Sequence, residues 1–411
     1  MQAQIAARPG RVLYLQYTNP AIYPPLEHSS RLLAQRGWQV LVLGTGAPSP
    51  MDQLEFPKHP RIRIKRIPYA RPGMWQKLQY VLFTIAAVFS AVVWRADWLY
   101  VSDFLATIPA LLAARLTGAR VVYHEHDAPG DATGTGFVRV CLAARKRLAR
   151  EAEICALPNV ERATLFRREV ATTAPVLCIP NYPRLDEVQP ARTETPPGPL
   201  RLYYHGTLGE PLLPPTLIEA MARSSREIRL CIVGYEPFGY QGYVDRLLAM
   251  ARRLDVADRV EAHPATSRFR LWELLRHQDV GLALMPMASS NINLQHLVGA
   301  SNKLTDYLVA GLAVLVPDLP AWKTAFVEPG YGVACDTTDP DSIAAAINWL
   351  AAHPADVRAM GERGRQRVVA EWHYEREFDG VVHLMELDAH PGRDTSKRNR
   401  FAKHVSAPPG P

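Results

Sequence analysis

Ser301-Asn302-Lys303-Leu304-Thr305-Asp306-Tyr307-Leu308-Val309-Ala310-Gly311 reads as a short helix with a polar entrance. Ser301 or Asn302 can cap its start, and Gly311 can end it in a left-handed conformation. Lys303 and Asp306 stand three residues apart and share a face, while Leu304, Tyr307 and Leu308 suit a core. Free N–H groups at a helix start, with a lysine beside them, suit a phosphate. An aspartate one turn further in can accept hydrogen bonds from the two vicinal hydroxyls of a ribose. The same spacing equally serves a capped surface helix whose lysine and aspartate pair with each other.

Working outward, runs of Val, Leu and Ile alternate with helical patterns. In the second half the predicted strands are 201–205, 228–233, 259–262, 280–285, 313–316 and 332–334. Helices are predicted at 215–223, 240–254, 268–276, 339–353 and 355–372, besides the opening one. The first half has the same rhythm, with strands at 11–17, 39–44, 61–67, 97–102, 119–124, 153–157 and 176–180. Such apolar runs suit parallel strands buried on both faces. The stretch 181–199 is rich in Pro, Thr and charge and predicts a linker. The expected fold class is α/β, with two doubly wound Rossmann-like domains facing across a cleft that takes the ligand. Expected boundaries are 1–190, 191–373, a helix 374–390 crossing back to the first domain, and a disordered basic tail 391–411.

The 411 residues suffice for two or three domains, and the composition is that of an ordinary globular protein. A net charge of +7 favours acidic substrates, nucleotides or an anionic membrane surface. The basic residues lack interleaved aromatics, which argues against a nucleic-acid partner. The five cysteines are widely spaced with no metal-ligand pattern, so buried reduced thiols and a cytoplasmic protein are expected. Residues 1–11 have no apolar signal core, so no secretion signal is expected. Leu78 to Trp94 carries no charge and follows Lys58, Arg61, Arg63, Lys65, Arg66, Arg71 and Lys77. Three readings fit it: a helix packed on the sheet, a short span, or peripheral contact with the inner face of the cell membrane.

Three motifs carry a resemblance: Tyr123-His124-Glu125-His126-Asp127 in the first half, Tyr204-His205-Gly206-Thr207-Leu208 opening the second, and the run Asn302 to Val314. In their order and spacing they resemble GT-B-fold glycosyltransferases of family 4, over residues 10–388. That resemblance implies transfer of a sugar from a nucleoside-diphosphate sugar to a hydroxyl acceptor (a glycan, a lipid-linked or a small molecule), with retention at the anomeric carbon. It implies Asp306 for the ribose hydroxyls, Lys303 for the diphosphate with Asn302 beside it, and His126 facing the donor sugar. Asp127 and Glu125 would orient His126 or bind the acceptor. Gly206 and Thr207 would form a strand-to-helix turn open to phosphate. No cofactor beyond the donor, and no metal, is expected. Two departures stand out. Val298 occupies the place of a frequent second carboxylate, and Leu208 to Leu212 lacks the cations that often follow the first turn. A nucleotide-sugar epimerase and a non-catalytic nucleotide-sugar-binding protein are the competing readings.

Overall fold

The computed structural model describes residues 10–130, 136–192 and 198–388. The basic tail 391–411 lies outside the described residues. The chain divides into two compact units, one made of the first 180 residues with the segment from Tyr374 on, the other of Asn181–His373.

The first unit holds β1 (Arg11–Gln16), α1 (Pro24–Gln35), β2 (Gln39–Thr45), β3 (Ile62–Ile67), α2 (Met74–Trp94), β4 (Trp98–Ser102) and α3 (Thr107–Thr117). Then come β5 (Arg120–His124), α4 (Gly136–Glu151), β6 (Ile154–Leu157), α5 (Val160–Val170) and β7 (Val176–Cys178). The seven strands are all parallel, in the order β3-β2-β1-β4-β5-β6-β7. Alternation along β1 sends Val12 and Tyr14 to one face and Leu13 and Leu15 to the other. The face of Leu13 is covered by α2 to α5, through Phe83, Ala110, Leu148 and Phe166.

The second unit holds β8 (Leu200–Thr207), α6 (Thr216–Ala222), β9 (Ile228–Tyr235), α7 (Tyr243–Arg253), β10 (Val260–Pro264), α8 (Arg268–Leu275) and β11 (Val280–Leu282). After these come α9 (Ile292–Gln295), α10 (Asn302–Val309), β12 (Ala313–Pro317), α11 (Pro320–Trp322), β13 (Gly332–Cys335), α12 (Pro340–Ala352) and α13 (Pro354–Ala370). Its six strands are parallel in the order β10-β9-β8-β11-β12-β13. Both sheets are thus doubly wound, as the β/α rhythm predicts.

The segment read as a linker behaves otherwise over residues 181–192, which are bound to the second unit. Asn181 donates its backbone N–H to Gly299 at 2.8 Å and its side-chain amide to Ala300 at 2.6 Å. Arg192 donates to the carbonyls of Gln278, Leu275 and Arg276. These anchors are mostly polar, so the segment shows no apolar periodicity. Helix α14 (Tyr374–Asp388) returns to the first unit. There Phe378, fully buried, stacks on Tyr374 with centroids 5.4 Å apart and meets Tyr100 of β4.

Helix α2 is long and apolar enough to cross a membrane by length and composition. One face nevertheless belongs to the core, where Phe83, Ala87 and Ala91 are fully buried against the sheet. Spanning a bilayer would strip that face from the sheet, so the short-span reading is corrected.

Phe378→Ala removes a fully buried ring that packs on Tyr374 and Tyr100. It is expected to destabilise the first unit by about 3–5 kcal/mol, measured as the midpoint shift in urea unfolding.

Candidate active site

The strand order reverses at β1/β4 in the first unit and at β8/β11 in the second. Open α/β sheets take ligands at the carboxyl ends of the strands beside such a reversal. The residues singled out in the sequence fall into two groups, one in each unit.

In the second unit, β8 ends in His205-Gly206-Thr207. Gly206 has φ +120°, a region that side chains disfavour, and a Cβ there would lie 2.7 Å from Lys303 Cε. Lys303 therefore reaches from the first turn of α10 over the bare Gly206 backbone, its ammonium 5.5 Å from the centre of the Tyr204 ring. Burial lowers the Lys303 pKa to about 8, against the pull of Asp306. Ser301, not Asn302, is the N-cap, and its side chain makes no capping hydrogen bond. Asn302 is the first residue of the helix, and Gly311 follows its end with φ +72°. Thr207 donates its hydroxyl to Tyr235 Oη at 3.2 Å, which fixes the turn.

Asp306 is paired with Arg268 and His205 rather than with Lys303. Only 2% exposed, its carboxylate receives Arg268 Nη2 at 2.9 Å, Arg268 Nη1 at 3.3 Å and His205 Nε2 at 3.3 Å. Arg268 also binds both oxygens of Glu187, with Nη2 to Oε2 at 3.1 Å, and lies over the Trp272 ring at 4.8 Å. Burial opposes the charge on Asp306, but Arg268 and His205 hold its pKa below the ordinary carboxylate value. Burial lowers the His205 pKa despite Asp306 beside it. Neither Arg268 nor Glu187 was singled out in the sequence. Arg268 opens α8 and Glu187 lies in the segment read as a linker, and no local pattern joins them to Asp306. Val298 packs against the apolar cluster of α8 and α10.

In the first unit, His126 follows β5 with a ring that is buried and has neither nitrogen hydrogen-bonded among the described residues. Burial, with the Arg162 guanidinium nearby, lowers its pKa to about 3, so it stays neutral. Its backbone is held at both ends. The N–H donates to Asp103 Oδ1 at 3.0 Å, and the carbonyl accepts from Arg162 Nη1 at 2.7 Å. The ring lies against His124 and Tyr23, with centroids 4.0 and 5.2 Å away. Asp127 is two-thirds exposed and meets the same guanidinium at 3.3 Å. His124 is buried within β5, its Nδ1 2.5 Å from Tyr100 Oη.

Glu125 takes neither role expected of it. It is buried, bound twice by Arg145 at 2.5 and 2.8 Å, and accepts from Tyr123 Oη at 2.6 Å. It is the counter-ion of a core arginine. Asp103, which the sequence reading passed over, stands at the end of β4 with φ +62°. Burial and the nearby Asp127 and Glu125 raise its pKa to about 7, so it exchanges a proton near neutrality. Gln16 Oε1 and Ser102 Oγ, on β1 and β4, are buried without a partner among the described residues. The signal for all three was positional, since each ends a strand beside the reversal.

The five cysteines are free thiols. Sequence spacing shows no metal-ligand set, yet among the described residues the pairing of β9 with β10 gathers one candidate group, Cys231, Glu261 and His263, whose ligand atoms lie within 4.8 Å of one another. Register across two strands, not spacing along one, brings them together.

Comparison with known proteins agrees with this architecture. Residues 26–182 match the profile of the glycosyl transferase 4-like domain, and residues 215–382 that of the glycosyl transferase-like domain. No curated protein sequence matches the chain. Among solved structures, sucrose-phosphate synthase from Thermosynechococcus elongatus superposes with TM-score 0.69 at 17% identity, covering 93% of this chain and 100% of that one. Anabaena HepE in complex with UDP gives 0.67 at 14% identity, covering 92% and 100%. The lipopolysaccharide glycosyltransferase WaaG gives 0.66 at 13%, covering 91% and 99%. At such identities these likenesses establish the fold.

Because the folded pKa of Asp306 is depressed, its contribution to stability is present above the unfolded value of 3.8 and is lost as pH falls through the lower folded value. Asp306→Asn should cost about 2 kcal/mol at neutral pH, where Arg268 loses one of its two carboxylates and keeps Glu187. That gap to wild type should narrow as the pH is taken below 3.8, followed by urea unfolding at each pH.

Proposed function

The chain belongs to the GT-B-fold glycosyltransferases, and we propose that it moves a sugar from a nucleoside-diphosphate sugar to a hydroxyl acceptor with retention of anomeric configuration. The observation that carries the donor assignment is Lys303 lying over the bare backbone of Gly206 at the start of α10. The relatives crystallised with UDP or UDP-glucose support a nucleotide-sugar donor.

Departure of the nucleoside diphosphate builds negative charge on its β-phosphate. Lys303, the N–H groups at Asn302 and the start of α10, and the backbone at Gly206 and Thr207 stabilise that charge. The ribose takes Asp306. Since Arg268 and His205 already engage that carboxylate, the ribose hydroxyls replace part of the Arg268 contact while Glu187 retains the guanidinium.

His126 serves the sugar as a neutral hydrogen-bonding ring. A cation there would oppose the positive character that develops on the sugar, and its lowered pKa avoids this. Asp127 orients the acceptor hydroxyl. Among the described residues none is an evident covalent nucleophile. The acceptor therefore attacks on the face the leaving group vacates, and a phosphate oxygen takes its proton. Lys303 and the helix N-terminus stand in for a divalent ion. We place the reaction in the cytoplasm, with an acceptor in solution or at the inner face of the membrane.

Thermal-shift titration with UDP-, GDP-, ADP- and TDP-sugars tests the donor site. One nucleotide class should stabilise the wild type, and Lys303→Ala should weaken it by about tenfold or more, the loss of one charge-assisted contact. Affinity of the wild type should decline as pH rises through about 8, where free Lys303 loses its proton, and the variant should lack this decline. Equal binding by variant and wild type would refute the assignment. Donor incubated alone should yield no sugar isomer, which separates transfer from epimerisation.

A further inference from the structure

Helix α2 is about 31 Å long and apolar all round, whereas a surface helix of a globular protein is apolar on one stripe. Its inner stripe of Tyr80, Phe83, Ala87 and Ala91 lies in the core. The opposite stripe, Trp75, Leu78, Leu82, Ile85, Phe89 and Val93, recurs every three or four residues and is exposed, Trp75 to 71% and Phe89 to 63%. The patch continues onto α4, where Phe137 sits edge-on to Tyr80 at 4.8 Å and Val140 is exposed.

Basic residues border this surface. Residues 78–94 contain no acid and no base. Arg71 and Lys77 stand exposed at its leading end, and Arg139 on α4. On β3, Ile62 and Ile64 point to the face of α1, so Arg63 and Lys65 project from the face that carries α2, and both are exposed.

We propose that this face of the first unit docks on an anionic lipid bilayer, with α2 lying in the interface and its outer stripe among the acyl chains. The inner stripe stays on the sheet, so docking needs no unfolding. The basic rim meets acidic headgroups, which a zwitterionic surface does not supply. Pairing with a second copy through the same face would set the two basic rims against each other. The proposal does not depend on the transfer chemistry.

The test is flotation of the full chain with vesicles of phosphatidylcholine, with and without phosphatidylglycerol, at low and high salt. The chain should float with the anionic vesicles and be released in part by salt. Trp75→Phe should remove most of a blue shift in tryptophan emission on binding. The double variant Ile85→Asp, Phe89→Asp changes only exposed positions. It should keep the wild-type thermal transition and nucleotide-induced stabilisation while losing vesicle affinity by about tenfold or more. No flotation on anionic vesicles, or flotation that survives the double variant, would overturn the proposal. So would a concentration-dependent dimer that the double variant abolishes, since a second copy would then be the occupant. A failed donor titration with intact flotation would count against the transfer reading alone.

Discussion

A carboxylate confined to an apolar helix is the constraint on which the second unit is built. Asp306 sits between Leu304, Leu308 and Tyr307, all buried, and keeps its charge only because Arg268 and His205 are brought to it. Arg268 is held in turn by Glu187. Four separate pieces of chain, the segment after Asn181, the end of β8, the start of α8 and α10, thus meet at one charge. A buried ion network of this kind gives little net stability compared with an apolar replacement, but it penalises every arrangement that leaves one member unpaired. It fixes where α10 begins, and so where Lys303 crosses Gly206.

The first unit separates its charges differently. Glu125 and Arg145 satisfy each other inside the core, which leaves the neighbouring His126 without a carboxylate on its ring. With no counter-ion and no solvent, the imidazole stays neutral, and Asp103, fixed to the backbone beside it, is pushed toward neutrality from the acidic side. Adjacent residues in the sequence, Glu125 and His126, therefore have unrelated jobs. Strand alternation is the cause: successive side chains at the end of β5 leave on opposite faces.

This explains how far the sequence could be read. Strands and helices were legible because parallel strands buried on both faces leave continuous Val, Leu and Ile runs, and the observed strands lie at or within about two residues of the predicted ones, except β11, which ends at Leu282. Gly206 and Lys303 were legible as candidates because one turn and one helix start carry their own local signatures. Arg268 as the partner of Asp306 was not, since the two are 38 residues apart and meet only through tertiary packing, as do Arg268 and Glu187 across 81 residues. The same holds for Cys231 with Glu261, joined by strand register. Polar anchoring of residues 181–192 has no period at all, and so reads as a linker.

Helix α2 marks the limit from the other side. Its sequence is apolar on every face, and hydropathy cannot say which half meets the sheet and which meets something else. Only the core can decide, and it takes the stripe of Phe83, Ala87 and Ala91. The remaining stripe is then a cost in water with no folding reason behind it, because burying the first stripe already closes the sheet. Large exposed apolar surfaces persist in folded chains where a partner covers them. Charge then selects the partner. A helix without acids, bordered by arginines and lysines from β3, α4 and its own leading turn, is matched by a surface that is at once apolar inside and negative outside.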